Sequence, residues 1–246
     1  MAWDGSILML RAVRRVLRMA HRAVSPEARG VRALEQNWQH SLFQPYPTTT
    51  WHRHPPLFAA VKDALTDISE PRLLSYGCST GEEAFSLKEI IPNAQITAID
   101  INPRSIAIAR RTARRLRVEG IDFACAAAPP PRGAIAPFDA IFCLSVLRHA
   151  RLEAECPESC ADILPFARAQ ALLHRLDDLL RPRGFLVLWG SNFRLRDTGI
   201  ASQYAWVPVN GRKPHRGPFY DRDDRRLDAQ DTSEFLFQKV SCPPTC

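Results

Sequence analysis

One stretch constrains this chain more than any other: Leu73-Leu74-Ser75-Tyr76-Gly77-Cys78-Ser79-Thr80-Gly81-Glu82-Glu83-Ala84-Phe85-Ser86-Leu87. An apolar run ending at Tyr76 suits a buried parallel strand. Gly77 and Gly81 let the backbone turn sharply and approach a ligand closely. Ser79 or Thr80 is expected to cap the helix that follows. Glu82 and Glu83 fall in its first turn, where the helix dipole favours carboxylates. A second apolar run, Ala94 to Ile99, ends in Asp100, so Gly77 and the acid are 23 residues apart. That order is a nucleotide-type βαβ unit whose acid accepts hydrogen bonds from ribose hydroxyls.

The turn also narrows the nucleotide. A dinucleotide fingerprint needs G-x-G-x-x-G, whereas the spacing here is G-x-x-x-G. A phosphate loop needs a Lys after its last Gly, and none follows Gly81. The Glu82-Glu83 pair would repel a pyrophosphate but could hold an ammonium. A ligand with a ribose, a base and an amino-acid end, and no phosphate, is S-adenosylmethionine (SAM).

On these residues the stretch resembles motif I of the class I SAM-dependent methyltransferases. In detail, Gly77-Cys78-Ser79-Thr80-Gly81-Glu82-Glu83 is similar to the CheR-type enzymes that esterify glutamates on chemotaxis receptors. A second similarity is Thr49-Thr50-Trp51-His52-Arg53-His54-Pro55, set against that family's Thr-x-Phe-Phe-Arg-x-Pro. Trp51 and His52 stand where the family has its two Phe. The resemblance implies that Thr49 and Arg53 lie by the methionine end of SAM and the active site. A third similarity follows the strand Phe138–Leu144, where Phe142, Cys143, Val146 and Leu147 match. Leu144, Ser145 and His149 stand where the family has Arg, Asn and Tyr.

The resemblance implies a SAM site. Gly77, Cys78, Ser79, Gly81 and Thr49 would hold the methionine part, and Glu82 or Glu83 its ammonium. Asp100, Ile101 and Asn102 would hold the ribose and adenine, with Leu144 and Ser145 at the reacting end. The third strand, Ile121–Cys125, is followed by Ala126-Ala127-Ala128 and three prolines. Adenine would therefore be held there by backbone groups and shape. His149 is the best-placed candidate base, with His52 and His54 next. The acceptor is an O- or N-nucleophile, a carboxylate included, and a carboxylate needs no base.

Strand–helix alternation across the 246 residues gives one domain with an extension. The expected fold is α/β: a doubly wound, mostly parallel seven-stranded sheet of Rossmann-like class I methyltransferase type, with a helical N-terminal extension. The resemblance implies that its last strand runs antiparallel and inserts beside the fifth. The expected division is a basic helical extension at 1–48, the methyltransferase domain at 49–240 and a flexible tail at 241–246. Later helices and strands are expected at 57–66, 103–117, 166–180, 185–189, 204–209 and 233–240. Residues 210–231 read as a polar loop over one sheet end.

Charge is uneven. Residues 1–32 hold seven Arg against Asp4 and Glu27, which is +5 of the net +7. A charge so localised argues against a nucleic-acid groove across the domain. Residues 7–24 read as a helix with one apolar and one Arg-rich face. Three readings stay open for it: a solvated face, a surface for a membrane or an acidic partner, or a transit peptide. The chain has no run of 18 apolar residues, so no transmembrane segment is expected. An odd count of seven cysteines reads as a reducing cytoplasm. The pairs Cys156/Cys160 and Cys242/Cys246 have a loose C-x3-C spacing and read as thiols rather than a zinc site. Two rivals to catalysis on a small molecule or protein side chain are a non-catalytic SAM-binding sensor and an RNA-modifying enzyme.

Overall fold

The computed structural model describes residues 33–34, 36, 42–44, 49–211, 213–228 and 231–240. The Arg-rich stretch 7–24, the tail 241–246 and Cys242 and Cys246 lie outside these residues.

Two prolines at the first helical positions open α1 (Pro55–Ala64), where their missing N–H groups cost nothing. The chain then alternates: β1 (Arg72–Tyr76), α2 (Glu82–Ile90), β2 (Gln95–Asp100), α3 (Pro103–Leu116), β3 (Ile121–Cys125), β4 (Phe138–Leu144). It continues with α4 (Ala150–Glu155), α5 (Phe166–Leu179), β5 (Leu180–Trp189), β6 (Tyr204–Val207) and β7 (Leu236–Lys239). The sheet order is β3-β2-β1-β4-β5-β7-β6. The first five strands pair in parallel, and β7 runs antiparallel between β5 and β6. The expected seven-stranded doubly wound sheet is present, with the inserted antiparallel strand.

Side chains alternate across the strands and fill two cores. Leu73, Ile96, Ala98, Phe142 and Val187 face α1, α2 and α3, where Phe58, Leu87, Ile106 and Ala109 meet them. Leu74, Ile99, Ile141, Leu186 and Leu188 face α5, which supplies Ala169, Leu172, Leu173 and Leu176. Asp177 of α5 anchors the antiparallel pair. It accepts from the Tyr204 hydroxyl at 2.7 Å and pairs with Lys239 at 2.8 Å.

Several details depart from the sequence reading. Helix α2 is capped by Gly81 with φ 96°, not by the Ser79 or Thr80 side chain. Strand β5 begins at Leu180, directly after α5, because Leu180 already pairs with Phe138 across a register shift. The edge strands are shorter than expected, since β6 stops at Val207 and β7 starts at Leu236.

The region at 210–231 is more than a polar loop. Phe219 and Tyr220 are fully buried, and a short hairpin joins 215–216 to 231–232. It docks on the segment after α4. Tyr220 donates to the Pro157 carbonyl at 3.1 Å, and Arg226 pairs with Glu158. Two insertions far apart in sequence thus form one lobe over the carboxyl ends of β4 and β5. Asn192 is its hub, donating from its amide to the Pro218 carbonyl and to Glu153.

Candidate functional site

The turn after β1 is held by backbone donors rather than side-chain caps. The N–H groups of Gly77 and Cys78 both donate to the Ile99 carbonyl, at 2.8 and 3.0 Å. Asp100 completes the arrangement. One of its oxygens accepts from the Ser79 N–H and the other from the Asn102 N–H, each at 2.8 Å. Burial pushes the Asp100 carboxyl up, against the pull of those two N–H groups. Each oxygen keeps a lone pair for a ribose hydroxyl. Gly77 takes φ 78°, and a Cβ there would strike Val146 Cγ2 at 2.4 Å. Gly81 packs under the turn, where a Cβ would crowd Phe85, Phe123 and Ala109.

Two clefts open on this turn. The larger holds about 710 Å³ counted out to open solvent. Its floor is Tyr76, Gly77, Ser79, Ile99 and Asp100, and one wall is Ile101, Asn102, Ala126 and Ala127. Leu144, Ser145 and Val146 form the opposite wall, and Leu34, Leu42, Phe43 and Gln44 close it. The smaller cleft holds about 380 Å³ on the same terms. It is lined by Thr49, Thr50, Arg53, His54, Phe58, Cys78 and Glu83. Gly77, Ser79 and Leu144 line both clefts.

The smaller cleft carries the charge. Glu83 accepts from the buried Ser75 hydroxyl at 2.7 Å. Burial pushes its carboxyl up to about 7, with Ser75 and Arg53 opposing. Burial also lowers Arg53, and the nearby Arg148 adds to this. The Arg53 guanidinium lies 5.4 Å over the Trp189 ring, a cation–π contact. The His54 ring sits 4.4 Å from the same indole. The Cys78 thiol is buried, which pushes it well above the ordinary thiol range.

The structure therefore brings Thr49, Arg53, Gly77, Cys78, Ser79, Glu83, Asp100, Ile101, Asn102, Leu144 and Ser145 to the clefts. It does not bring Gly81, Glu82 or His149 to either lining. Glu82 turns back to accept from the Thr80 hydroxyl. His149 caps α4, its Nδ1 accepting from the Arg151 N–H at 3.2 Å while its own N–H donates to Asn192. His52 pairs with Glu89 at 3.3 Å, and the adjacent Trp51 stacks on Phe85. Of the Cys pairs, Cys156 is exposed and Cys160 is buried against Asp224. Sequence reasoning missed Leu34, Leu42, Phe43 and Gln44, because no local pattern marks residues that reach the site only by folding.

The donor set fits SAM. Ser79 Oγ and Ser145 Oγ are buried without a hydrogen-bond partner among the described residues, each at a residue that lines the larger cleft. Unpaired hydroxyls in a cleft await a polar ligand. Asp100 lines the larger cleft and Glu83 the smaller.

A sheet ordered 3-2-1-4-5-7-6, with the seventh strand antiparallel and a ligand turn after the first, defines the class I methyltransferase fold. Residues 74–186 match the family described as methyltransferase domain. The release factor glutamine methyltransferase of Deinococcus radiodurans is 38% identical over 69 residues, covering 28% of this chain and 23% of that protein. An uncharacterized protein of Synechococcus is 33% identical over 107 residues, 43% of this chain and 26% of that protein. The chain thus matches about a quarter of the length of these curated relatives. Among solved structures, TehB from Haemophilus influenzae aligns with TM-score 0.47 and 14% identity, covering 85% of this chain and 67% of that one. PKMT2 from Rickettsia typhi, solved with AdoHcy, aligns with TM-score 0.43 and 18% identity over 58% of this chain and 26% of that one. Among the described residues, no helix is long and apolar enough to cross a membrane.

Proposed function

We propose that this protein transfers a methyl group from SAM to an acceptor that enters through the smaller cleft. One observation carries the reading: the cleft lined by Asp100 and the cleft lined by Arg53 and Glu83 meet at Gly77, Ser79 and Leu144. Bound across that junction, SAM supplies a sulfonium methyl open to in-line displacement. The chain's own residues then supply proximity and orientation. Asp100 accepts from the ribose, Glu83 pairs with the ammonium, and Leu144 and Ser145 border the reacting end.

Arg53 puts positive charge on the acceptor side, supported by Arg148. That favours an anionic acceptor, and a carboxylate needs no general base. The position of His149 outside both clefts agrees with this reading. For an acceptor that must lose a proton, His54 is the imidazole lining the cleft. The finer reading is a chemotaxis-type protein-glutamate O-methyltransferase. It is supported by the residues at 49–53 and 77–83, and it must accommodate Leu144, Ser145 and His149. The five described thiols, Cys78, Cys125, Cys143, Cys156 and Cys160, suit a reducing cytoplasm. Residues 49–240 are taken as the catalytic unit, with Leu34, Leu42, Phe43 and Gln44 also lining its cofactor cleft.

Titration calorimetry with S-adenosylhomocysteine tests the cofactor site. Wild-type protein should bind, and Asp100→Ala should bind at least about tenfold more weakly, since it loses a charge-assisted hydrogen bond. No heat from folded wild-type protein would remove the reading. Labelled SAM with a cell extract tests transfer: label should enter a base-labile methyl ester if the acceptor is a carboxylate. Label entering RNA alone would overturn the choice of acceptor.

A further inference from the structure

We infer that the solvent face of α3 is a docking surface for the phosphate backbone of a nucleic acid. This face lies outside both clefts, so the inference stands apart from the cofactor reading.

Residues 101–118 hold six arginines and no acid. Helix α3 turns Ile106 and Ala109 into the core and leaves positions 104, 107, 111, 114 and 115 exposed. Four of those five are arginines, and their spacing puts them on one side of the helix. Arg104 and Arg115 are about 16 Å apart along the axis. Arg117, just past the helix, is exposed as well. Acids elsewhere in the chain offset this charge in the overall balance, so composition alone hides it.

Folding does not account for the row. A solvated helix face balances its cations with acids three or four positions away, whereas Arg111 has Arg114 and Arg115 there, which weakens the helix. Arg104 lies in the first turn, where the helix dipole opposes a cation and no acid offsets it. The dipole favours only Arg114 and Arg115, in the last turn. Among the described residues, seven other arginines pair with acids, and none of the ion pairs involves this row. Glu119 and Asp122, the first acids after the helix, are exposed and pair with none of it.

The chemistry of the row selects its partner. Every cation in it is Arg, whose planar guanidinium grips a phosphate through two parallel hydrogen bonds. A straight row of about 16 Å matches about five successive phosphates of a duplex strand. A bilayer or a protein partner would call for exposed apolar anchors. The helix offers one large apolar side chain, Leu116, because its apolar side is spent on the core. Contacts to the backbone position a duplex without reading its bases, so binding is independent of sequence.

The test is fluorescence anisotropy of the full chain with a labelled duplex RNA of arbitrary sequence, between about 50 and 200 mM salt. Wild type should bind, and its affinity should fall steeply with salt. Arg104→Gln/Arg111→Gln/Arg114→Gln/Arg115→Gln should bind about tenfold or more weakly at low salt. Its salt slope should be shallower by about one for each arginine removed. Its melting temperature should equal or exceed that of wild type, since like charges have been removed. The half-sets Arg104→Gln/Arg111→Gln and Arg114→Gln/Arg115→Gln should each give about half the change in slope. Arg11→Gln/Arg14→Gln/Arg15→Gln/Arg18→Gln, in the other Arg-rich stretch, should leave the contribution of α3 in place. No duplex binding by folded wild type overturns the inference. So does a loss confined to the variant at 11–18. Binding to phosphatidylserine vesicles or polyglutamate that depends on the α3 arginines, with duplex binding unchanged, also overturns it and assigns the face to a membrane or an acidic protein.

Discussion

Glu82 and Glu83 are adjacent and chemically identical, yet folding gives them different work. One residue of helix advance turns Glu83 onto the Ser75 hydroxyl and the charged cleft, while Glu82 folds back on Thr80. Sequence could place an acid pair at the turn but could not choose between its members. The choice has a pH signature. Glu83 is raised from 4.5 to about 7 by burial, so the folded protein holds a proton there that the unfolded chain has released. Stability from this group is therefore full at low pH and is lost as pH rises through 7. Glu83→Gln should melt above wild type at pH 8 and match it near pH 4, by differential scanning fluorimetry. Ligand affinity should move the other way. Wild type should bind S-adenosylhomocysteine more tightly as pH rises from 6 to 8, because an ammonium favours the ionised acid. Glu83→Gln should bind weakly and without that slope. His149 teaches the complementary lesson. Its distance from β4 in sequence made it a candidate base, but its imidazole caps α4.

At the scale of elements, the unit from β1 through β2 was legible because its signals are local. Apolar runs, two glycines and an acid at a set distance dictate strand, turn, helix and strand. The manner of capping was not legible. Ser79 has a capping hydroxyl, yet its backbone takes φ 50° and its N–H goes to Asp100, so Gly81 becomes the cap. The turn tolerates little change. Gly77→Ala would force φ 78° on a residue with a Cβ and drive that Cβ into Val146. It should lower unfolding free energy by about 1–3 kcal/mol, read by urea denaturation, and weaken S-adenosylhomocysteine as well. A change in stability with affinity intact would place the glycine's role in folding alone. The start of β5 was misjudged for a related reason. Arg181-Pro182-Arg183-Gly184 has the composition of a stop, but pairing of Leu180 with Phe138 and the ion pair of Arg181 with Asp139 carry the strand back through it.

Across the whole molecule, contacts between distant segments complete what local structure leaves open. Helix α5 begins after Pro165, which has no side-chain cap to give. The cap comes from Asp224, 58 residues away, which accepts from the Phe166 N–H at 2.6 Å. Asp224 also accepts from the Cys160 thiol, so one carboxylate joins α5 to the lobe built from both insertions. Asp224→Ala should cost about 1–2 kcal/mol in chemical denaturation. It should also raise amide exchange in residues 157–164 and 218–226 together; exchange confined to one segment would show that the lobe is not a single unit. The same division runs through the molecule. Strand order, the glycine turn and the acid of β2 could be read from residue order, because each rests on neighbours in the chain and on the periodicity of burial. The closing residues of the cofactor cleft, the working carboxylate and the cap of α5 could not. They depend on contacts such as Arg168 with Leu42, 126 positions apart, which come into being only when the sheet has formed and its faces are covered.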